Sequence, residues 1–290
     1  MRPSLVAVAG LLLLAPVLGG CASEPPVPVT KTAAFESAAT PPPSPAPRKR
    51  VVVPSGVTAG YVVFDRQARR VTVSRNVHKR FRSASVVKLL IAIDHLEDVA
   101  KPDLAVLRPM LRVSDDDAAT ALWRRGGQGK IILRMAKRLK LTDTSPPPAD
   151  KPGFWGYTAI SALDIAKVYR YLLEKAEPKV RDTIMGELRK AEPCGSDGFD
   201  QYFGIPRAVP RPWAVKQGWS GYGSVPPSKC VRARTATADV DFVHPVLHTT
   251  GVIGDRYIMV LLTTQTTAWA DATKKITKLA RDVYRAAPGS

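Results

Sequence analysis

Hydrophobic positions follow a helical spacing through the middle of the chain and again at its C-terminal end. From Val86 to Ile93 nearly every position is apolar, which is typical of a central buried helix, and we expect that helix to begin near Ser85. Ser161 followed by Asp164 is a start signal for a later helix. The amphipathic windows predict helices over residues 117–124, 129–139, 161–175, 179–190 and 268–285.

Short β-rich runs lie before and after this helical region. Residues 60–64 and 70–74 flank the polar turn 65–69, which predicts a hairpin. Three later runs predict strands over residues 213–219, 246–253 and 257–264. Because late strands must find partners for their backbone groups, this order predicts an α+β fold with one five-stranded antiparallel sheet against a helical lobe.

The first residues have the pattern of an export signal. Arg2 supplies a positive start, residues 5–18 an apolar stretch too short to span a membrane, and Leu18-Gly19-Gly20-Cys21 a small-residue cleavage site. This site resembles the lipobox of exported bacterial lipoproteins of the actinobacterial type, in which the cysteine becomes the lipidated, palmitate-bearing N-terminus. We therefore expect residues 1–21 to be a lipoprotein signal peptide; the alternative is an ordinary secretory peptide with an incidental Cys21.

A proline-rich segment separates this signal from the folded part. Residues 22–56 contain repeated prolines among Ala, Ser and Thr and predict a disordered tether, so we expect a single domain at 57–290. The formal charge of +18 on 290 residues suits anionic lipid or wall polymer. No basic stripe with interleaved aromatic residues is visible, so we expect no nucleic-acid partner. We expect a monomer, held on the extracytoplasmic face of the cell membrane.

Two further cysteines complete the count of three. In an exported chain Cys194 and Cys230 form an even pair and predict a disulfide bond; two free buried thiols are the alternative. The four histidines show no ligand spacing with each other or with the cysteines. We therefore expect neither a metal ion nor another cofactor.

Ser85 and Lys88 are the first candidates for chemistry. At positions i and i+3 of one helix their side chains share a face, so the hydroxyl and the amine can hydrogen-bond. The free N–H groups of a first helical turn favour an alkoxide, and an apolar setting favours a neutral amine. This is the layout of a lysine-activated nucleophile, although on most helices such a pair is only a solvated face.

Two later motifs accompany this pair. Ser114-Asp115-Asp116 follows about 30 residues downstream, and Lys216-Gln217-Gly218 lies on a predicted strand. With S-x-x-K these motifs make an ordered set, which resembles the penicillin-recognising serine hydrolases, in particular their class A β-lactamase-like branch. The resemblance covers roughly residues 60–286. It implies an α/β/α sandwich of the β-lactamase/transpeptidase type.

The resemblance assigns a role to each motif residue. It implies that Ser85 is the acylated nucleophile, Lys88 its base, and Ser114 a proton relay to the leaving nitrogen. Lys216 would fix a substrate carboxylate, with Gln217 and Asp116 beside it. The backbone N–H groups of Ser85 and Trp219 would form the oxyanion hole, and Gly218 would leave room for a substrate along the strand.

Three departures from the family pattern qualify these roles. Asp116 replaces an asparagine, and a carboxylate near Lys88 favours the ammonium form. Gln217 replaces a threonine or serine that bonds the substrate carboxylate, and it donates with a different reach. The loop at residues 141–157 contains no glutamate to activate water, and its Asp143 and Asp150 are poor substitutes.

The pattern therefore predicts a cell-envelope lipoprotein whose Ser85 is acylated by lactam or peptide-like amide carbonyls and deacylates slowly. Such a protein would show weak β-lactamase or penicillin-binding activity, with β-lactams or peptidoglycan-like peptides as substrates. The alternative is a catalytically silent domain of the same fold that binds an anionic wall fragment or a protein partner.

Overall fold

The structure is a computed structural model that describes residues 50–223, Cys230 and residues 245–290. The predicted signal peptide, its Cys21 and the tether before residue 50 lie outside the described residues. None of the helices in the described part of the chain is both long enough and apolar enough to cross a membrane.

Five strands form one antiparallel sheet in the spatial order β2-β1-β7-β6-β5. A separate two-stranded sheet pairs β3 with β4. The strands are β1 (Val57–Asp65), β2 (Arg70–Arg75), β3 (Phe81–Arg82), β4 (Ala159–Ile160), β5 (Trp213–Ser220), β6 (Val246–Ile253) and β7 (Tyr257–Gln265). The five-stranded sheet and its order in the chain confirm the predicted fold class.

Eight α-helices are present among the described residues. They are α1 (Lys88–Asp98), α2 (Leu104–Arg112), α3 (Asp116–Arg125), α4 (Gly129–Leu139), α5 (Ala162–Glu174), α6 (Pro178–Arg189), α7 (Ile205–Ala208) and α8 (Trp269–Arg285). The Ser161 hydroxyl accepts a hydrogen bond from the Asp164 N–H at 3.2 Å and caps α5, as its position in the sequence indicates.

Side chains alternate between the two faces of the sheet and form two hydrophobic cores. In β1, Val62 and Phe64 join the core beneath the helical lobe, whereas Tyr61 and Val63 join the core beneath α8. In β5, Ala214 and Val215 divide in the same way. The sheet is therefore the middle layer of an α/β/α sandwich, and β5 meets residues 84–87, directly ahead of α1.

The expected helix start at Ser85 needs a correction. A 3₁₀ turn at Ala84–Val87 comes first, and α1 begins only at Lys88. Ala84 has a left-handed φ of 43°, so the chain enters the helix through a sharp bend that an ordinary α-helical start would not produce. The turn still places Ser85 and Lys88 on the same side.

The predicted disulfide joins Cys194 and Cys230, with an S–S distance of 2.07 Å. The bond closes a segment of the chain that contains α7 and the whole of β5. It therefore links the loop before these two elements to the chain that follows them.

Candidate active site

Ser85 lies in the 3₁₀ turn at the entrance to α1 and is 5% exposed. The preceding Ala84 has φ 43°, a conformation that costs an L residue on the order of 1 kcal/mol and that persists where the surroundings enforce it. A hydrogen bond from the neighbouring loop holds this turn in place: the Ser83 N–H donates to the Thr158 carbonyl at 2.8 Å. The hydroxyl of Ser85 is thus presented on a fixed, strained bend.

Lys88 is fully buried and its ammonium lies among four oxygen atoms. Its Nζ lies 2.9 Å from the Ser85 Oγ, 2.7 Å from the Ser114 carbonyl oxygen and 3.2 Å from the Ser114 Oγ. The fourth oxygen is the Asp116 Oδ1, at 2.5 Å. On its remaining side the Trp155 ring centroid lies 4.6 Å from Nζ, within cation–π range. The contact expected from the i, i+3 spacing is present.

Lys216 approaches the same hydroxyl from β5. Its Nζ donates to the Ser114 Oγ at 2.8 Å and to the Gln217 carbonyl at 3.2 Å. Burial and the neighbouring charge of Lys88 lower the pKa of Lys216 well below its usual range. Ser114, itself at φ 56°, therefore bridges two buried lysines from two different elements.

The acidic turn after Ser114 has two functions. Asp115 is the N-cap of α3 and accepts a hydrogen bond from the Ala118 N–H at 2.7 Å. The next residue, Asp116, points to Lys88 although its side chain is 60% exposed. Asp115 therefore caps the helix, whereas Asp116 contacts Lys88.

Gln217 faces away from this cluster. The side chain is on the α8 face of the sheet, where its Nε2 donates to the Phe203 carbonyl at 2.6 Å and to the Gln201 carbonyl at 3.2 Å. Its amide is thus engaged by the loop before β5 and does not reach Ser85. The alternation of side chains along β5 explains this difference from the expected substrate contact, since Lys216 and Gln217 point to opposite faces.

Gly218 lies where β5 comes closest to the turn that carries Ser85. A Cβ added here would lie 3.0 Å from the Val86 Cγ2 and 3.1 Å from the Ser83 carbonyl oxygen. The close approach of β5 to the nucleophile turn therefore favours a glycine here, besides the room for a substrate that the resemblance implied. The backbone of Trp219, the second expected oxyanion donor, follows directly on the same strand.

Asp197 is a neighbour that the sequence did not indicate. Its carboxylate accepts hydrogen bonds from the Trp219 Nε1 at 2.8 Å and from the Phe199 N–H at 3.1 Å. Burial raises the pKa of Asp197, and the negative charge of Asp116 acts in the same direction. Only its place three residues after Cys194 could have suggested that this loop is held near β5.

The two aspartates of the 141–157 loop lie away from Lys88. Asp143 is 3.0 Å from the His78 Nδ1 and accepts a hydrogen bond from the Ser161 Oγ at 2.8 Å, while Asp150 is exposed at the surface. The loop instead places Trp155 on Lys88, with the Trp155 Nε1 donating to the Thr120 Oγ1 at 3.2 Å. An indole ring thus covers the side of the lysine that this loop approaches.

The described histidines and acids provide no metal centre: no group of three or more His, Cys, Asp or Glu in this part of the chain could hold an ion.

His248 is fully buried on the strand next to β5. Its ring accepts from the Thr263 N–H at Nδ1 and lies 2.7 Å from the Arg82 carbonyl at Nε2, so Nε2 carries the proton. Burial lowers the pKa of His248 to about 4, which keeps the ring neutral.

Several solved structures share this architecture. A β-lactamase from Sphaerobacter thermophilus matches 80% of the chain and 92% of its own, at 16% identity and a TM-score of 0.59. A class A β-lactamase from Mycobacterium abscessus matches 80% and 94%, at 16% identity and a TM-score of 0.57. A variant of PBP-A, solved as an acyl-enzyme complex with penicillin G, matches 80% and 90%, at 15% identity and a TM-score of 0.58. The chain thus has the β-lactamase/transpeptidase fold, as the sequence resemblance implied.

Sequence relatives narrow this class. The Mycobacterium tuberculosis protein named "Putative lipoprotein LppW" is 33% identical over 242 residues, which are 79% of this chain and 70% of the relative. The Mycobacterium bovis protein of the same name aligns equally well. No protein-family model matches the chain. At this identity and coverage the chain belongs to the LppW family, whose named members are called lipoproteins.

Proposed function

We propose that this protein is a lipid-anchored envelope protein in which Ser85 forms an acyl-enzyme with a lactam or a peptide-like amide and releases it slowly. The observation that carries the proposal is that hydrogen bonds join four chemical groups: the Ser85 Oγ is bonded to the Lys88 Nζ, and both lysines are bonded to the Ser114 Oγ. Acyl transfer requires a nucleophile, a base and a proton donor in this kind of contact.

The proposed reaction begins when the Ser85 Oγ attacks the carbonyl carbon and its proton passes to a neutral Lys88. The tetrahedral intermediate then expels the leaving nitrogen, which takes a proton from the Ser114 Oγ, and Lys88 returns its proton to Ser114. Lys216 is bonded to the same Ser114 oxygen and can hold or supply that proton. The backbone N–H groups of Ser85 and Trp219 are proposed to stabilise the oxyanion.

Slow release follows from the surroundings of Lys88. Asp143 is bonded to His78 and Ser161, and the indole of Trp155 covers the lysine on the side of the 141–157 loop. A water molecule that attacks the acyl-enzyme needs a base within hydrogen-bonding distance. Neither aspartate of this loop meets that need, so we expect the acyl-enzyme to accumulate.

The envelope location of this function is also a proposal. A signal peptide at residues 1–21, lipidation of Cys21 and a tether through residue 56 would hold the domain 57–290 near the bilayer on its extracytoplasmic face. The relatives named as lipoproteins support this arrangement. Peptidoglycan-like peptides are the acyl donors that such a location would offer.

A second candidate function rests on the Lys88–Asp116 ion pair, at 2.5 Å. A carboxylate at this distance stabilises the ammonium form, which cannot accept the Ser85 proton. The same domain could then act without chemistry, binding an anionic wall fragment or a partner protein. The two candidates differ in one observable, a covalent adduct on Ser85.

Intact-mass spectrometry tests the proposal. We expect the purified domain, incubated for hours with a panel of lactams and acyl-peptides, to gain the mass of at least one acyl group, and Ser85→Ala to gain none. Ser83→Ala is the matched control, because it removes a neighbouring buried hydroxyl that does not bond to Lys88. The absence of any adduct on the unmodified domain would favour the silent binding protein, and rapid hydrolysis of a chromogenic cephalosporin would contradict slow deacylation.

A further inference from the structure

The charged groups around Ser85 suit a different substrate from the anionic one that the sequence implied. Asp116 is the most exposed of them, with 60% of its side chain accessible. Its Oδ1 takes the hydrogen bond from Lys88, and Oδ2 is the oxygen left for another partner. Because Lys88 also bonds to the Ser85 Oγ, the carboxylate and the nucleophile are attached to the same nitrogen.

The groups expected to bind a substrate carboxylate are already engaged. Lys216 is 1% exposed and donates to the Ser114 Oγ and the Gln217 carbonyl, and the Gln217 amide donates to two loop carbonyls. Arg82, close to the nucleophile in sequence, has its guanidinium 5.3 Å from the centroid of the Tyr157 ring. These three side chains therefore already have partners within the protein.

A second carboxylate adds to the negative field. Asp197 is hydrogen-bonded to Trp219, the residue that follows Gly218 on β5, and its charge interacts with those of Asp116 and both lysines. Burial raises the pKa of Asp197 and lowers the pKa of Lys216, so it weakens the charge of both groups. The exposed carboxylate of Asp116 is therefore the charge that a substrate meets first.

Resting on the proposed acylation of Ser85, we infer that the acyl donor carries a protonated amine close to its reactive carbonyl and that this amine pairs with the free oxygen of Asp116. Acyl donors with a carboxylate at the same place are repelled by that oxygen and react slowly. A free amino group on a peptide side chain or at a peptide N-terminus has the required chemistry.

Three thioesters of equal length test this inference, with an ammonium, a methyl or a carboxylate group at the end of the acyl chain. In each reaction the bond between the Ser85 Oγ and the acyl carbon forms, the acyl–sulfur bond breaks, and the Ser85 proton leaves with the thiol. Intact mass gives the rate constant of acylation. We expect the ammonium thioester to react about tenfold faster than the carboxylate one, with the methyl thioester between them.

The ratio of these rates separates charge recognition from reactivity. In Asp116→Asn the rate constants for the ammonium and carboxylate thioesters should lie within about twofold of each other, even if both rates change. Asp117→Asn makes the same charge change one residue later and should leave the ratio of the two rates nearly unchanged. On the unmodified domain, raised ionic strength should also narrow the ratio. This second measurement does not depend on the folding of a variant.

The outcomes distinguish the two proposals. Acylation by all three thioesters at equal rates, or fastest by the carboxylate, would overturn the inference and leave the acylation of Ser85 standing. No adduct from any of them would overturn the acylation itself and the inference with it. If the ratio of the ammonium and carboxylate rates were unchanged in Asp116→Asn, another group would be distinguishing the two charges, and this too would contradict the inference.

Discussion

Lys88 and Lys216 are both buried and both bonded to the Ser114 Oγ, but they differ in their acidic partners. Lys88 has the Asp116 carboxylate at 2.5 Å. Among the described residues, Lys216 has no carboxylate as a hydrogen-bond partner, and burial lowers its pKa well below the usual range. The Ser114 hydroxyl therefore lies between one lysine with a carboxylate partner and one lysine without.

Asp116→Asn is the residue-scale prediction. Removing the carboxylate takes away the group that stabilises the ammonium of Lys88, so the neutral amine becomes available to the Ser85 hydroxyl. We expect acylation of Ser85 by an uncharged thioester to be about tenfold faster at neutral pH. Stopped time courses read by intact mass measure this rate.

The isosteric neutralisation Asp117→Asn controls for the loss of one negative charge from α3, and it should leave the acylation rate unchanged. Since an unpaired ammonium is costly to bury, Asp116→Asn should also lower the free energy of unfolding, by about 1–3 kcal/mol. A slower reaction in the folded Asn variant would mean that the carboxylate assists Lys88 instead of restraining it.

The residues whose roles depend on local spacing could be placed from the sequence. Ser85 and Lys88 meet because i and i+3 share a helical face, and Ser114 and Lys216 join them as the order of the motifs implied. Gln217 could not be placed in the same way, because the direction of its side chain depends on which face of β5 meets the lobe. Asp197 and Trp155 come from irregular loops, whose path is fixed only by tertiary packing.

At the scale of elements, the site is a seam between β5 and the 3₁₀ turn that precedes α1. Gly218 is the point of closest approach, since a Cβ there would contact the backbone oxygen of Ser83 and the side chain of Val86. Lys216 crosses the same seam to reach Ser114 on the far side. The distance between the strand and the turn therefore determines both the nucleophile position and the second lysine contact.

Gly218→Ala is the element-scale prediction. The added methyl group would push β5 and the turn apart by a few tenths of an ångström, and overpacking of this kind lowers the free energy of unfolding by about 1–3 kcal/mol. We expect acylation of Ser85 to slow as well, because the turn that carries it moves. Urea unfolding and intact-mass rates on the same preparations measure the two effects.

Gly186→Ala provides the matched control for this change. This glycine lies inside α6, a Cβ there would have no atom within 4 Å, and alanine is the better helix former. It should raise the free energy of unfolding by about 0.5–1 kcal/mol and leave acylation unchanged. If both glycine variants were equally stable and equally active, the seam would not be tightly packed.

The regular elements followed the hydrophobic pattern closely, and the exceptions have physical causes. The helix α4 (Gly129–Leu139) and the strand β6 (Val246–Ile253) have the predicted bounds. The helix α2 was missed because Pro109 lies inside it, and a proline in a sequence normally indicates the end of a helix. The strands β3 and β4 have two residues each, too few for a period to be visible.

At the scale of the whole molecule, one sheet separates two hydrophobic cores. His248 lies on the side of the sheet that faces the helical lobe and is bonded to the carbonyl of Arg82, just before the nucleophile turn. The ring is neutral in the folded protein, because burial lowers its pKa from 6.5 to about 4. A protonated ring would lose its bond from the Thr263 N–H, since Nδ1 would then carry a proton. The stability of the fold is thereby linked to pH.

Acid destabilisation is the prediction at this scale. The unfolded chain takes up a proton on His248 as the pH falls through 6.5, whereas the folded chain does so only near pH 4. The contribution of His248 to the free energy of unfolding is therefore complete above pH 6.5 and declines between pH 6.5 and pH 4. The decline amounts to about 3 kcal/mol. Urea midpoints measured from pH 7 to pH 4 give the slope.

His248→Gln should flatten this slope, because glutamine does not titrate. His78→Gln serves as the comparison, since the His78 side chain is 65% exposed and its removal should leave the slope in place. The difference between variant and parent isolates the histidine from the carboxylates that titrate at lower pH. An unchanged slope in His248→Gln would assign the acid sensitivity to other groups.

The strand β1 also has a mechanical consequence. It is the first strand after the tether segment and is paired on both sides, with β2 along one edge and with β7 along the other, from Val57 opposite Gln265 to Asp65 opposite Tyr257. A pull on the chain ahead of Val57 acts along β1 and must shear two ladders of hydrogen bonds together, instead of opening one of them bond by bond. A strand with two neighbours therefore receives any load that is applied at the N-terminal end of the fold.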